Sequence, residues 1–246
     1  MGNKLILLGG LPRSGNTLLS ALLNQNPAIY VTTTSSFIGI MSRSYWMFIE
    51  PKNEELATDK LQKAMRPFLM NMQRAYHSEL TDRKYVIDKR RQWQDVESIE
   101  MFIDIYGCRP KILCPVRSIP EIISSFDSVF KNNDIELDIK KHLSGNRFLD
   151  SYLQLQGAYD SKYSDCLHLI EFEDLIQDTQ NTLNKVYDYL GFDRFTHNLK
   201  DIKALEEEAD YSLVGLHTLK PKVEAKNHSK DNVDAFKEFI DWDFWR

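Results

Sequence analysis

Leu5-Ile6-Leu7-Leu8-Gly9-Gly10-Leu11-Pro12-Arg13-Ser14-Gly15-Asn16-Thr17-Leu18-Leu19 is the stretch on which the fold turns. The apolar run in residues 4–8 predicts a buried strand. Leu18, Leu19, Leu22 and Leu23 then recur at helical spacing, so a helix is expected over residues 16–24. Pro27 stops it. Between strand and helix lies a turn rich in Gly, Pro and Ser. Glycines let such a turn bend tightly, and the N–H groups opening the helix then face an anion along the helix dipole. Strand, glycine turn and helix in that order predict an anion-binding loop.

Short apolar runs and helical patterns keep alternating downstream, which predicts a parallel sheet with crossover helices. Further strands are expected at 29–33, 85–88, 111–116 and 166–172. Helices are expected at 95–106, ended by Gly107, and at 179–190, ended by Gly191. Residues 54–80 read as helical, with Pro67 demanding a kink or a break. Ser118-Ile119-Pro120-Glu121 has the form of a capping box with proline in the first turn. The expected fold is α/β: a three-layer, P-loop-like parallel sheet of about five strands flanked by helices. No linker, repeat or low-complexity tract interrupts the chain, so residues 1–246 read as one domain. The closing aromatics Phe239, Trp242, Phe244 and Trp245 are expected to dock on the core.

Bulk composition removes whole classes of function. At 246 residues, 42% hydrophobic and 27% charged, the chain can bury a core of ordinary size. A net charge of -5 disfavours nucleic acid and anionic membrane surfaces, so an anion site has to be assembled locally. The three cysteines, Cys108, Cys114 and Cys166, form no C-x-x-C pair and read as small hydrophobes in a reducing compartment. The first apolar run is too short for a signal-peptide core, and nothing approaches the length of a membrane span. A cytoplasmic protein is the expectation.

Counted from Gly10, the loop has the spacing of G-x-x-x-x-G-K-[ST], except that Asn16 stands where the lysine would be. That lysine reaches the β- and γ-phosphates in nucleoside-triphosphate enzymes, and its absence argues against a kinase. The cation has moved inside the loop to Arg13, whose guanidinium can grip a phosphate-like group in a fork of hydrogen bonds. A second cation is delivered by the strand Lys111-Ile112-Leu113-Cys114-Pro115-Val116-Arg117, at the sheet edge that faces ligands in open α/β folds. Ser124 and Ser125 follow in the next helix, Ser125 eight residues beyond Arg117.

Leu11-Pro12-Arg13-Ser14-Gly15-Asn16-Thr17 resembles the 5′-phosphosulfate loop of sulfotransferases that use 3′-phosphoadenosine-5′-phosphosulfate (PAPS), the Pro-Arg-Ser-Gly version being closest to the tyrosylprotein and carbohydrate branches. The resemblance implies that Pro12, Arg13, Ser14, Gly15, Asn16 and Thr17 bind the 5′ end of the donor. It implies that Arg117 and Ser125 form the 3′-phosphate site. Ile170-Glu171-Phe172-Glu173-Asp174-Leu175 and Leu190-Gly191-Phe192 are similar to later family segments, so the likeness spans about residues 4–192. The acids in the first of these read as structural, capping a helix or bracing a basic residue.

Sulfuryl transfer needs positioning and charge neutralisation more than a metal, so none is expected, and 3′,5′-ADP is the implied product. Lys89, level with a strand-end lysine of relatives, is the candidate to assist the leaving group. The family's usual bases are missing here: residues 32–36 hold only Thr and Ser, and no His follows the third strand. Asp88 is therefore the first candidate base and His217 the second. Lys220 or Lys222 is the candidate to close over the nucleotide.

The acceptor, whether carbohydrate, peptide tyrosine or small molecule, is not legible, nor is the oligomeric state. Region 37–80, with Phe37, Tyr45, Trp46, Phe48, Met65, Phe68, Met70 and Met72, reads either as acceptor cleft or as core. Two rival readings stay open. One is a P-loop nucleotide or small-molecule kinase, which leaves Arg117 and Ser125 unexplained. The other is a non-catalytic nucleotide-binding protein, favoured only by the missing base.

Overall fold

The computed structural model describes residues 4–49, 58–145, 148–205, 213–217, 219 and 221–223. Five strands form one sheet in the order β2-β3-β1-β4-β5, every pair parallel. They are β1 (Lys4–Leu8), β2 (Ile29–Thr34), β3 (Tyr85–Lys89), β4 (Ile112–Val116) and β5 (Leu167–Glu171). Helix α1 (Asn16–Leu23) carries the chain from β1 to one side of the sheet, while β4 lies against β1 on the other. The direction of winding therefore reverses beside β1, and the carboxyl ends of β1 and β4 flank the crevice where open sheets take ligands.

Side-chain alternation along each strand divides the core into two layers. Leu7, Ile112 and Cys114 face a layer with Phe37, Met41, Trp93, Phe102, Ile122 and Phe126, supplied by α2 (Phe37–Ile49), α4 (Val96–Tyr106), α5 (Ile119–Lys131) and the 3₁₀ turn Arg91–Gln94. Ile6, Leu8 and Leu113 face the opposite layer, with Leu19 and Leu22 of α1 and Leu183, Val186, Tyr187 and Leu190 of α9 (Thr179–Leu190). Gly107 and Gly191 end α4 and α9 in the left-handed conformation that glycine adopts without strain.

Two expectations need correcting, and three helices lie where none was expected. α3 (Asp59–Leu80) runs unbroken through Pro67, with Met65 and Leu69 holding it to the core on either side. Ser118 begins α5 but spends its hydroxyl on the Glu121 carboxylate at 2.8 Å, so the helix gets no side-chain cap. Helix α2 was not expected, because its apolar residues do not keep to one face: Ile40, Trp46 and Met47 are exposed while Phe37, Ile38, Met41 and Tyr45 are buried. Two short helices before β5, α6 (Ile139–Leu143) and α7 (Leu149–Tyr159), also went unread. In region 37–80, Phe37, Tyr45 and Met65 belong to the core, whereas Phe68 and Trp46 are exposed. The closing aromatics Phe239, Trp242, Phe244 and Trp245 lie outside the described residues. Among the described residues no helix is long and apolar enough to cross a membrane.

Candidate active site

Two glycines explain why the loop after β1 has its shape. Gly10 has φ +86°, and a Cβ there would sit 2.6 Å from the Pro115 carbonyl oxygen of β4. Gly15 has φ +91°, and its Cβ would meet the Phe172 ring at 2.8 Å. Only glycine lets the loop press against both neighbours. Ser14 Oγ lies 2.5 Å from the Leu11 carbonyl oxygen and 2.8 Å from that of Pro115, which share its one proton. Asn16, in the vacant lysine position, folds its amide back to the Leu11 carbonyl at 2.7 Å. It therefore staples the turn. Pro12 is half-buried in the same turn. Gly15 is the N-cap of α1 and has no side chain to give the helix's first amides an acceptor.

Arg13 is held at φ +59°, a left-handed backbone that non-glycine residues adopt only under constraint. Its side chain crosses to the second motif. Nε donates to Ser125 Oγ at 2.9 Å, and Nη1 donates to the Leu216 carbonyl. Arg117, at the end of β4, points its Nη1 at the Arg13 carbonyl from 3.4 Å and lies 4.2 Å above the Phe172 ring. Its guanidinium also faces Glu121 at 3.4 Å. Burial lowers the Arg117 pKa, against the pull of Glu121 and Glu173. Burial raises Glu173, and its hydrogen bond to Glu121 adds to the rise. Burial also acts to raise Glu121, but the Ser118 hydroxyl, Glu173 and Arg117 together hold it below its usual value.

At the end of β3, beside Leu8 of β1, sits Lys89, largely buried. Its backbone N–H goes to Thr32 Oγ1 at 2.8 Å where the β2–β3 register shifts. Next to it, Asp88 is completely buried. Oδ1 accepts from Trp93 Nε1 at 2.7 Å. Oδ2 accepts from Ser35 Oγ at 2.7 Å and from His77 Nε2 at 3.1 Å. His77 Nδ1 lies 2.9 Å from Gln73 Nε2 and 3.0 Å from the Gln73 backbone carbonyl oxygen, which closes the chain.

The sulfotransferase family model matches residues 6–197, most of the chain and both anion motifs. The chain belongs to the sulfotransferase family. It is therefore an enzyme of sulfuryl transfer, and the kinase reading falls away. Among curated proteins no sequence matches. Solved structures agree in fold. The sulfotransferase domain of the curacin biosynthetic pathway has a TM-score of 0.53 and 16% identity, over 94% of this chain and 83% of that one. A sulfotransferase from Alicyclobacillus acidocaldarius has a TM-score of 0.53 and 14% identity, over 80% of this chain and 85% of its own.

For this sulfotransferase the arrangement of the expected site residues is uneven. Arg13, Ser125 and Arg117 meet directly, and His217 Nδ1 lies 3.4 Å from Thr17 Oγ1 at the start of α1. Asp88 does not fit the role of base. A base must touch the proton it takes, and this carboxylate is walled in, with both oxygens engaged by three donors. Lys222 is exposed beside Pro221, whose carbonyl accepts from Ile202. Lys220 lies outside the described residues. A cavity of about 770 Å³ lies elsewhere, between α1, β2 and residues 195–205, with Asn24, Tyr30 and Arg83 in its wall.

Sequence reading missed Ser35, His77, Trp93 and Gln94. Each is buried with a polar atom hydrogen-bonded across the fold, a pairing that leaves no local sequence pattern. The available signal was indirect: Trp93 and Gln94 come one residue after the basic run Lys89-Arg90-Arg91 at the end of β3.

Proposed function

We propose that this sulfotransferase takes its sulfuryl group from PAPS, binding the donor between two clamps and releasing 3′,5′-ADP. Arg13, Thr17 and the loop amides take the 5′-phosphosulfate, while Arg117 and Ser125 take the 3′-phosphate. The observation that carries this reading is the 2.9 Å contact from Arg13 Nε to Ser125 Oγ. It brings two motifs 112 residues apart into one anion-binding cluster at the carboxyl edge of the sheet. The donor set suits the ligand: two guanidiniums, hydroxyls and an uncapped helix start form a short fixed array for anionic groups.

The acceptor oxygen or nitrogen forms a bond to sulfur as the bond from sulfur to the 5′-phosphate oxygen breaks. Charge then grows on the leaving phosphate, where Arg13 and Lys89 neutralise it. The acceptor's proton goes to His217, the remaining candidate at the loop. Asp88 acts from behind, holding the end of β3 from which Lys89 projects. Lys222, or Lys220, closes over the nucleotide. Residues 1–246 form a single domain, and the Pro-Arg-Ser-Gly loop favours a carbohydrate or peptide-tyrosine acceptor over a small phenol. The protein works in the cytoplasm.

Thermal-shift titration tests the donor assignment. 3′,5′-ADP is expected to raise Tm, while ATP with magnesium leaves it unchanged. Labelled sulfuryl transfer from PAPS to a panel of carbohydrates, tyrosine peptides and phenols then identifies the acceptor. Stabilisation by ATP with magnesium alone would overturn the assignment.

A further inference from the structure

We infer that Gln94 is a positioning residue for the phosphate loop, and that the buried Asp88 cluster locks Gln94 in place. The inference rests on the donor reading above and adds residues to it. Gln94 is completely buried on the 3₁₀ turn Arg91–Gln94. Its Oε1 accepts from the Gly10 backbone N–H at 2.5 Å, and its Nε2 donates to the Ser151 carbonyl of α7 at 2.7 Å. Both ends of the amide are used, so neither a shorter nor an apolar side chain reproduces the bridge. The approach is close: a Cβ on Gly9 would stand 2.7 Å from Gln94 Oε1. Gly9 and Gly10 thus admit Gln94 on one side and Pro115 on the other, fixing where the chain turns out of β1.

The turn that carries Gln94 is itself anchored one residue earlier. Trp93 donates to Asp88, and Asp88 also collects Ser35 from the turn before α2 and His77 from the last turn of α3. Three segments are thereby tied to β3, and the tie passes through Trp93 and Gln94 to Gly10 of the loop. A chain of donors and acceptors confined to the interior transmits geometry, because each member has one arrangement that satisfies it. Lys89, expected to contact the donor, is the chain neighbour of Asp88 at the end of β3. The cluster's role is to hold Lys89 and the loop.

The test pairs Gln94→Met with the unaltered protein. Met keeps the length and most of the volume but leaves Gly10 N–H and the Ser151 carbonyl without their partner. Calorimetric titration with 3′,5′-ADP is expected to show about tenfold weaker binding, the scale of one lost buried hydrogen bond. In turnover the donor KM rises by a similar factor while the acceptor KM stays put. A purely packing role would lower Tm and the active fraction without changing the affinity of the folded molecules. Should Gln94→Met not fold, Gln94→Asn keeps the amide, cannot reach both partners, and is expected to weaken binding in the same way. Ser35→Ala, which removes one donor from Asp88, should show a smaller loss in the same direction. Unaltered protein that ignores 3′,5′-ADP sinks the donor reading and this inference together. Unaltered protein that binds, with a folded Gln94 variant binding within twofold of it, sinks the inference alone.

Discussion

The phosphate loop and the Asp88 cluster stand back to back across the ends of β1 and β3, and they are built on opposite principles. The loop is local. Nine consecutive residues, 9–17, carry its glycines, its cation and its helix start, and Gly10, Arg13 and Gly15 hold it in shape with positive φ angles. The cluster is assembled from four segments, with Ser35, Gln73 and His77 of α3, Asp88 and Trp93 meeting only once the sheet and α3 have packed. A local site tolerates movement in the fold around it, whereas a dispersed one reports on it. The loop should therefore fail in function first, and the cluster in stability first.

The largest expected effect is on the loop. Arg13→Ala should cost about 2–4 kcal/mol of transition-state stabilisation, as for loss of one preorganised donor, read as a fall of roughly one and a half to three decades in kcat/KM with Tm little changed. Near-normal turnover would break the comparison at its strongest point. On the cluster side, Asp88→Asn keeps the shape but turns an N–H₂ toward one of three donors. The expected loss is about 2 kcal/mol of stability, a Tm drop of roughly 5 °C. An unaltered Tm with lost activity would instead return Asp88 to the chemistry.

Gly15→Ala tests whether the loop's geometry is as tightly set as its chemistry. The left-handed backbone and the 2.8 Å approach to Phe172 should together cost about 1–3 kcal/mol and weaken 3′,5′-ADP binding. His197 supplies a buried polar group in neither region. Burial depresses its pKa to about 4, from an ordinary value near 6.5. Between those values the unfolded chain binds the extra proton, so the stability is complete above about pH 6.5 and is lost as pH falls toward 4. The effect should be on the order of 2 kcal/mol, discounted for partial solvent screening, and His197→Gln should flatten it in denaturation curves taken at several pH values.

How much could be read from the chain follows the same division. The sheet was legible because β1, β4 and β5 are apolar runs between turn residues, and α9 repeats its apolar residues every three to four positions. The loop was legible because glycine, arginine and helix start are neighbours in sequence. α2 was not, since Ile40, Trp46 and Met47 blur its apolar face. His77 and Ser35 were not, since a buried hydrogen bond between residues 53 apart leaves no local pattern. Asp88 looked like a base because it adjoins a strand end. Burial decides otherwise, and burial is a property of packing.

Titration of 3′,5′-ADP against 5′-AMP, with unaltered protein and with Arg117→Ala, tests most directly whether one nucleotide spans both clamps. The unaltered protein should prefer 3′,5′-ADP by about thirtyfold, the scale of a charge-assisted contact to the 3′-phosphate. Arg117→Ala should erase that preference and leave 5′-AMP affinity unchanged. Equal binding of the two nucleotides by the unaltered protein, or a preference that survives the loss of Arg117, would contradict the account.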